Sequence, residues 1–157
     1  MAIYFNKPHQ NDGYLNNSYP SQITVDNYTF VSSEHYITWK YVMLFEPELE
    51  PLILAATDSK EMKVISNKVK TLDNILWDSI RYDIMKEALY YKFLQNPRLL
   101  NNLIWTGNSG IVYGDPKDKI WGIGITIVEA LMDKPWRGQN LLGKALIETR
   151  TRFKPKV

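Results

Sequence analysis

The sequence comprises 157 residues, 45% of them hydrophobic, and this length can bury one continuous core without disulfide or metal support. It contains no cysteine, and its only imidazoles are His9 and His35, which excludes disulfides, thiolate metal sites and histidine-rich metal centres. A net charge of +2 gives no general footprint for nucleic acid, although it does not exclude a local phosphate pocket.

The first thirty residues predict strands. Residues 1–22 are rich in Asn, Pro, Gly and Tyr and indicate a strand followed by a loop. The pair Asp26-Asn27 separates the short β-type segments 23–25 and 28–30, and such a two-residue pair is typical of a tight hairpin turn. We therefore expect a β-hairpin here.

A series of helices follows the hairpin. Ser32 or Ser33 suits the cap of the first helix, because a serine hydroxyl can accept a hydrogen bond from the first turn. Asp58 with Glu61 three residues later forms a candidate capping box for a later helix. The predicted helices of this half are 34–45, 48–56, 59–70 and 74–95, and the last is the longest, with a mostly apolar inner face.

The second half mixes short strands and helices. Pro97 suits the first turn of a helix that continues through Leu103. The segment 126–136 is the least readable and predicts an insertion loop, with or without a short helix. Strands are predicted at 104–106, 111–113 and 121–125, and a final helix from 141 to about 153. Residues 1–157 thus predict a single domain, a mainly helical α+β fold with a small β-sheet.

Glu34 and Lys40 are the first candidates for chemistry, because both lie on the helix predicted over 34–45. The helix places them about 240° apart in angle and about 9 Å apart along its axis. Lys40 lies between Trp39 and Tyr41, and a partly desolvated amine can attack an aldehyde carbon to form a Schiff base. A surface glutamate and a lysine with its stem on apolar surface remain the alternative.

Trp77 and Arg81 are the second candidate pair. Their i, i+4 spacing on the long helix brings the two side chains to one face. An indole beside a guanidinium offers a stacking plane for a base and a fork for a phosphate. A core tryptophan covered by an arginine is the alternative.

The segment 118–124 is the third candidate. Gly122 and Gly124 alternate with an isoleucine directly after Trp121, which suits a strand closely approached by a backbone or a ligand. Asp118 can hold a ribose hydroxyl or orient water, or it can be a turn residue before a buried strand. Asn140 can orient a substrate or begin the last helix. No Walker loop, dinucleotide fingerprint or Ser-His-Asp arrangement is present, so no cofactor is predicted.

In this order and spacing the motifs resemble the NADAR family of YbiA-like proteins. The resemblance covers residues 15 to 153, with two departures, Ser18 where the family often has Phe and Tyr113 where an acidic residue often follows the Thr-Gly turn. The matching blocks are Leu15–Ser21; Ser32, Glu34, His35 and Lys40; Trp77, Arg81 and Met85 with Lys92-Phe93; Thr106-Gly107, Asp118, Trp121-Gly122 and Gly124; and Arg137-Gly138, Asn140, Leu142-Gly143-Lys144, Leu146 and Arg150.

The resemblance implies one NADAR domain that hydrolyses the bond between ribose C1 and the nitrogen of a base. The expected catalytic residues are Lys40, Glu34 and Asp118. The expected substrate-binding residues are His35, Trp77, Arg81, Thr106, Gly107, Trp121, Gly122, Gly124 and Asn140. No metal or other cofactor is expected.

The resemblance leaves three functions open. The first expectation is removal of ADP-ribose from modified guanine in nucleic acid. The alternatives are hydrolysis of ribosylaminopyrimidine phosphates of riboflavin synthesis and non-catalytic binding of ADP-ribose. The sequence lacks a signal-peptide pattern and any stretch of about 18 apolar residues, so we expect a cytoplasmic protein that does not span a membrane. No obligate protein partner is evident from the sequence.

Overall fold

A computed structural model describes residues 1–155 of the chain. It comprises two compact units: a contiguous unit, Pro20–Asn96, and a discontinuous unit formed by Met1–Tyr19 and the chain from Pro97 onward. Helices account for 53% of the structure, and the described residues form two two-stranded sheets. The predicted mainly helical α+β class is therefore confirmed.

The contiguous unit begins with the predicted hairpin. Strands β2 (Ile23–Val25) and β3 (Tyr28–Phe30) pair antiparallel, with Val25 opposite Tyr28. Asp26 and Asn27 have φ of 49° and 73°, the left-handed conformation that a two-residue turn between twisted strands requires. The hairpin prediction is confirmed.

Four α-helices follow in this unit. They are α1 (Ser33–Phe45), α2 (Glu50–Ala55) after a 3₁₀ turn at Pro47–Leu49, α3 (Ser59–Ser66) and α4 (Asn74–Gln95). Ser32 caps α1, since its hydroxyl accepts a 3.1 Å hydrogen bond from the backbone N–H of His35. The bounds of α4 are those predicted.

The prediction that α3 extends to residue 70 was wrong. After Ser66 the backbone tightens into three-residue turns, with the N–H of Lys68 bonded to the Ile65 carbonyl. This change lets Val69 pack against a core cluster containing Val42 and Met62. The capping box at its start is half formed, because Asp58 accepts from the N–H of Glu61 while the carboxylate of Glu61 accepts from Thr57.

The discontinuous unit contains a parallel strand pair and three helices. Strand β1 (Ala2–Phe5) pairs with β4 (Gly110–Tyr113), with Ala2 opposite Gly110. The helices are α5 (Pro97–Trp105), α6 (Ile127–Leu131) and α7 (Leu141–Phe153). Val112, Ile123, Ile125 and Ala130 form a core cluster of this unit.

Two strand predictions in this unit were wrong. Residues 104 and 105 complete α5, and the chain then turns through Gly107, where φ is +65°. Residues 121–125 form turns, because their backbone bonds to distant loops: the Arg137 N–H donates to the Ile123 carbonyl and the Asn140 N–H to the Gly122 carbonyl. The positive φ of 70° at Gly124 also interrupts an extended run.

The segment 126–136 contains the short helix that was one of its two predicted forms. A reciprocal capping box starts α6, in which the Thr126 hydroxyl accepts from the N–H of Glu129 and the Glu129 carboxylate accepts from Thr126. Among residues 1–155, no helix combines the length and apolar character needed to cross a membrane.

Candidate active site

The predicted site residues fall in both units, and the structure describes the surroundings of each. The contiguous unit holds Glu34, His35, Lys40, Trp77 and Arg81. The discontinuous unit holds Thr106, Gly107, Asp118, Trp121, Gly122, Gly124 and Asn140. Convergence of the two sets around one substrate stays a prediction.

Glu34 lies in the first turn of α1 with its two carboxylate oxygens in different environments. Oε2 accepts a 2.9 Å hydrogen bond from the hydroxyl of Ser59 at the start of α3. Oε1 is buried and has no hydrogen-bond partner among the described residues. A buried acceptor of this kind is rare in folded proteins, and it marks a position for a donor from a ligand or water.

His35 lies next in the chain and is 1% exposed. Its Nδ1 accepts from the N–H of Val31, and its Nε2 donates to the Ile53 carbonyl at 2.6 Å, which indicates the neutral tautomer protonated at Nε2. Burial lowers the pKa of His35, although the hydrogen bond to Ile53 opposes this shift. Both ring nitrogens thus tie α1 to neighbouring backbone within the unit.

Lys40 lies in a half-buried cluster between α1 and α4. Its Nζ is 3.6 Å from Oε1 of Glu87 and within 5.8 Å of the ring centroids of Tyr36 and Trp39. The Tyr36 hydroxyl donates to the same Glu87 oxygen, and burial together with that hydrogen bond raises the pKa of Tyr36. The amine is therefore held against aromatic rings and one carboxylate.

Trp77 and Arg81 share one face of α4, as predicted from their spacing. The Trp77 ring contacts Tyr41 edge-on at a centroid distance of 5.0 Å and Phe45 at 6.2 Å. Nη1 of Arg81 is 3.0 Å from Oδ1 of Asp78, and its side chain is 18% exposed. The indole is half-buried in an aromatic cluster, and the guanidinium is paired with Asp78 of the same helix.

Asp118 organises a tight turn. Its Oδ1 accepts from the N–H of Ile120 at 3.0 Å and of Trp121 at 2.8 Å. This is the turn-forming alternative left open above, although no strand follows it. A ribose hydroxyl would have to contact Oδ2, since Oδ1 already accepts two backbone donors.

Gly122 and Gly124 lie where no side chain fits. A Cβ at Gly122 would stand 2.9 Å from the Asp118 carbonyl oxygen. At Gly124 it would stand 3.1 Å from the backbone of Arg137, in a left-handed conformation. The close approach expected of these glycines is confirmed, but the approaching groups are other parts of the backbone.

Asn140 binds the backbone of β4 and is 5% exposed. Its Oδ1 accepts from the N–H of Tyr113, and its Nδ2 donates to the Ile111 carbonyl, both at 3.0 Å. Gly143 lies one turn later, and a Cβ there would be 2.1 Å from the same carbonyl oxygen. This side chain therefore joins the start of α7 to the strand.

The Thr106-Gly107 turn is held by the end of α7. Nη1 of Arg150 donates to the Thr106 hydroxyl and to the Ser109 carbonyl, both at 2.8 Å. Nζ of Lys154 donates to the Gly107 carbonyl at 2.8 Å. The turn predicted to bind substrate is thus fixed by two basic residues of the same unit.

Sequence reasoning missed three polar residues that contact the side chains of Glu34 and Lys40. Tyr36 precedes Lys40 by one helical turn, and that spacing was available from the sequence. Glu87 and Ser59 lie on other helices, and only tertiary packing brings them to Lys40 and Glu34.

Comparison with known proteins identifies several relatives of this chain. An N-glycosidase of Acanthamoeba polyphaga mimivirus is 36% identical over 77% of this chain and 73% of its own length. A riboflavin biosynthesis protein of Vibrio vulnificus is 32% identical over 96% of this chain, which spans only 38% of that protein. The NMR structure of Escherichia coli YbiA superposes with a TM-score of 0.80, covering 97% of this chain and 84% of that one, at 23% identity, a likeness of fold.

These relatives confirm the prediction of a hydrolase acting on N-glycosyl bonds. The family model described as the NADAR domain matches residues 4–154, nearly the whole sequence. The resemblance inferred from the motifs is thereby confirmed, and the chain belongs to the NADAR domain family.

Proposed function

We propose that this protein is an N-glycosidase that removes ADP-ribose from modified guanine in nucleic acid by hydrolysing the ribose C1–N bond. One observation carries the proposal: α1 presents both a half-buried amine at Lys40 and, at Glu34, a buried carboxylate oxygen without a partner among the described residues. An amine and a carboxylate are the two groups that a covalent route through the sugar carbon requires.

In the proposed reaction Lys40 attacks ribose C1 as the sugar ring opens. The ammonium gives one proton to the ring oxygen and one to the departing base, while Nζ bonds to C1 and the C1–base bond breaks. Water then adds to the C1=N⁺ carbon, the C–N bond breaks, and the ring recloses. Nζ carries one positive charge before and after the transfer, which is compatible with Glu87 beside it.

Glu34 and Asp118 are the two carboxylates of the proposed site. One transfers protons and the other holds the ribose hydroxyls. Arg81 binds phosphate, and Trp77 and Trp121 shape the pocket of the leaving base. The remaining predicted site residues have a structural role and hold the backbone that carries these groups. Those residues are His35, Thr106, Gly107, Gly122, Gly124 and Asn140, and hydrogen bonds or close packing within their own units support this role.

Hydrolysis of a ribosylaminopyrimidine phosphate is the second candidate function. The Vibrio relative named for riboflavin biosynthesis matches 96% of this chain, and this match supports the second candidate. Both candidates use the same bond cleavage and the same amine, and they differ in the base released.

The test offers both substrates and follows base release by chromatography. We expect the wild-type protein to release free ADP-ribose from the modified guanine, and we expect Lys40→Ala to reduce turnover below detection while its circular dichroism stays unchanged. Lys86→Ala is the matched control, because Lys86 is a lysine of α4 that pairs with Asp83 and is 40% exposed.

Three results would change the assignment. Release of only the pyrimidine would select the second function. Full activity of Lys40→Ala would exclude the covalent route. Calorimetric binding of ADP-ribose without turnover of either substrate would identify a non-catalytic ADP-ribose module.

A further inference from the structure

The carboxylate of Glu34 is hydrogen-bonded at Oε2, whereas its Oε1 has no partner within residues 1–155. Resting on the proposed function, we infer that Ser59 is a positioning residue, which holds Oε2 so that Oε1 faces a hydroxyl of the substrate ribose or the attacking water. The 2.9 Å hydrogen bond from Oγ of Ser59 to Oε2 carries this inference together with the buried, partnerless Oε1.

Neither side chain is needed to cap the helix on which it lies. At the start of α1 the first turn is capped by the hydroxyl of Ser32. At the start of α3 the cap is Asp58, whose Oδ1 accepts from the N–H of Glu61 at 2.8 Å. Capping therefore explains neither the carboxylate of Glu34 nor the hydroxyl of Ser59.

The burial of Oε1 indicates that the hydrogen-bonded pair of Glu34 and Ser59 serves a function. A buried acceptor left without a donor destabilises a fold, so such groups are rare unless something else uses them. An ionised carboxylate only accepts hydrogen bonds, so its natural partner is an O–H or N–H donor. A ribose hydroxyl or a water molecule supplies that donor in the proposed reaction.

Ser59 restricts the rotation of the carboxylate. A single donor at Oε2 leaves Oε1 in one direction, whereas an unheld carboxylate samples many orientations. Catalytic groups lose much of their effect when their orientation is loosened, because only aligned conformers react. The loss should therefore appear in kcat, while contacts that bind the rest of the substrate keep KM.

The test compares Ser59→Ala with Ser66→Ala, a control on the same helix whose hydroxyl donates to the Lys63 carbonyl. We expect Ser59→Ala to lower kcat about tenfold with KM changed less than about twofold. Ser59→Thr keeps a hydroxyl and should recover most of the rate. Circular dichroism and thermal unfolding verify that all variants fold.

Each outcome decides the inference. If Ser59→Ala behaves like Ser66→Ala on a substrate that the wild-type protein hydrolyses, the inference is overturned and the proposed function stands. If the wild-type protein hydrolyses no substrate, the proposed function fails, and calorimetry with ADP-ribose decides. About tenfold weaker binding by Ser59→Ala then supports the orienting role, while unchanged binding, or no binding by the wild-type protein, overturns it.

Discussion

Lys92 gives a prediction whose size follows from the structure. Its side chain is fully buried on α4, with Nζ 5.4 Å from the ring centroid of Phe93. Burial lowers the pKa of Lys92 from 10.5 to about 7. We predict that the free energy of unfolding rises with pH above 7 and that Lys92→Met removes most of this rise.

The sign follows from which state holds the proton. Between pH 7 and 10.5 the unfolded chain keeps the proton on Lys92 while the folded chain has lost it, so raising the pH favours folding. The free energy of unfolding should rise by at most about 1.4 kcal/mol per pH unit, and by about 5 kcal/mol in total between the two pKa values. Measurements should stop near pH 9.5, since tyrosines begin to titrate in the unfolded chain at about pH 10.

Urea denaturation at pH 7, 8 and 9 measures this slope. The difference between wild type and Lys92→Met isolates the contribution of the one lysine. Lys86→Met serves as the control, since the side chain of Lys86 is 40% exposed and its removal should leave the slope unchanged. Equal slopes for the wild type and Lys92→Met would refute the reasoning.

Three further predictions concern residues near the candidate site. Gly143→Ala places a Cβ 2.1 Å from the Ile111 carbonyl oxygen, so it should lower the free energy of unfolding by about 3 kcal/mol or prevent folding. Gly110→Ala is the control and should fold, because its nearest contact is at 3.7 Å. Urea denaturation compares the two variants. Asn140→Ala loses two hydrogen bonds to β4 and leaves alanine at φ 54°, so the free energy of unfolding should fall by about 2–4 kcal/mol. An unchanged unfolding midpoint would contradict this expectation. Burial lowers the pKa of His35, so acidification below pH 6.5 protonates the imidazole of the unfolded chain first and destabilises the fold. Between pH 7 and pH 5 the Tm should therefore fall less for His35→Gln than for the wild-type protein, as measured by thermal unfolding.

The elements that could be predicted from sequence have strong local signals. The hairpin depends on Asp26-Asn27, whose side chains suit a left-handed turn. Helix α4 is bounded by Asp73, which caps it, and by a proline after Asn96, and its apolar period runs between them. These signals act within a few residues, so no tertiary information was needed.

The failures depend on distant partners. The segment 121–125 has strand-like composition, but its carbonyls bond to residues 137–142, which no local rule identifies. The same limit applies to the candidate site. Glu34 and Lys40 follow from a motif, while the side chains that hold them come from α3 and α4.

The parallel pairing of β1 with β4 affects the order in which the chain can fold during translation. All the segments of the contiguous unit are available once Asn96 has left the ribosome, so its helices can assemble early. Ala2 must wait until Gly110 is synthesised before its strand finds a partner. Strand β1 therefore stays without its partner while about a hundred further residues are made, and it is exposed to proteases and chaperones for longer than any other strand among residues 1–155.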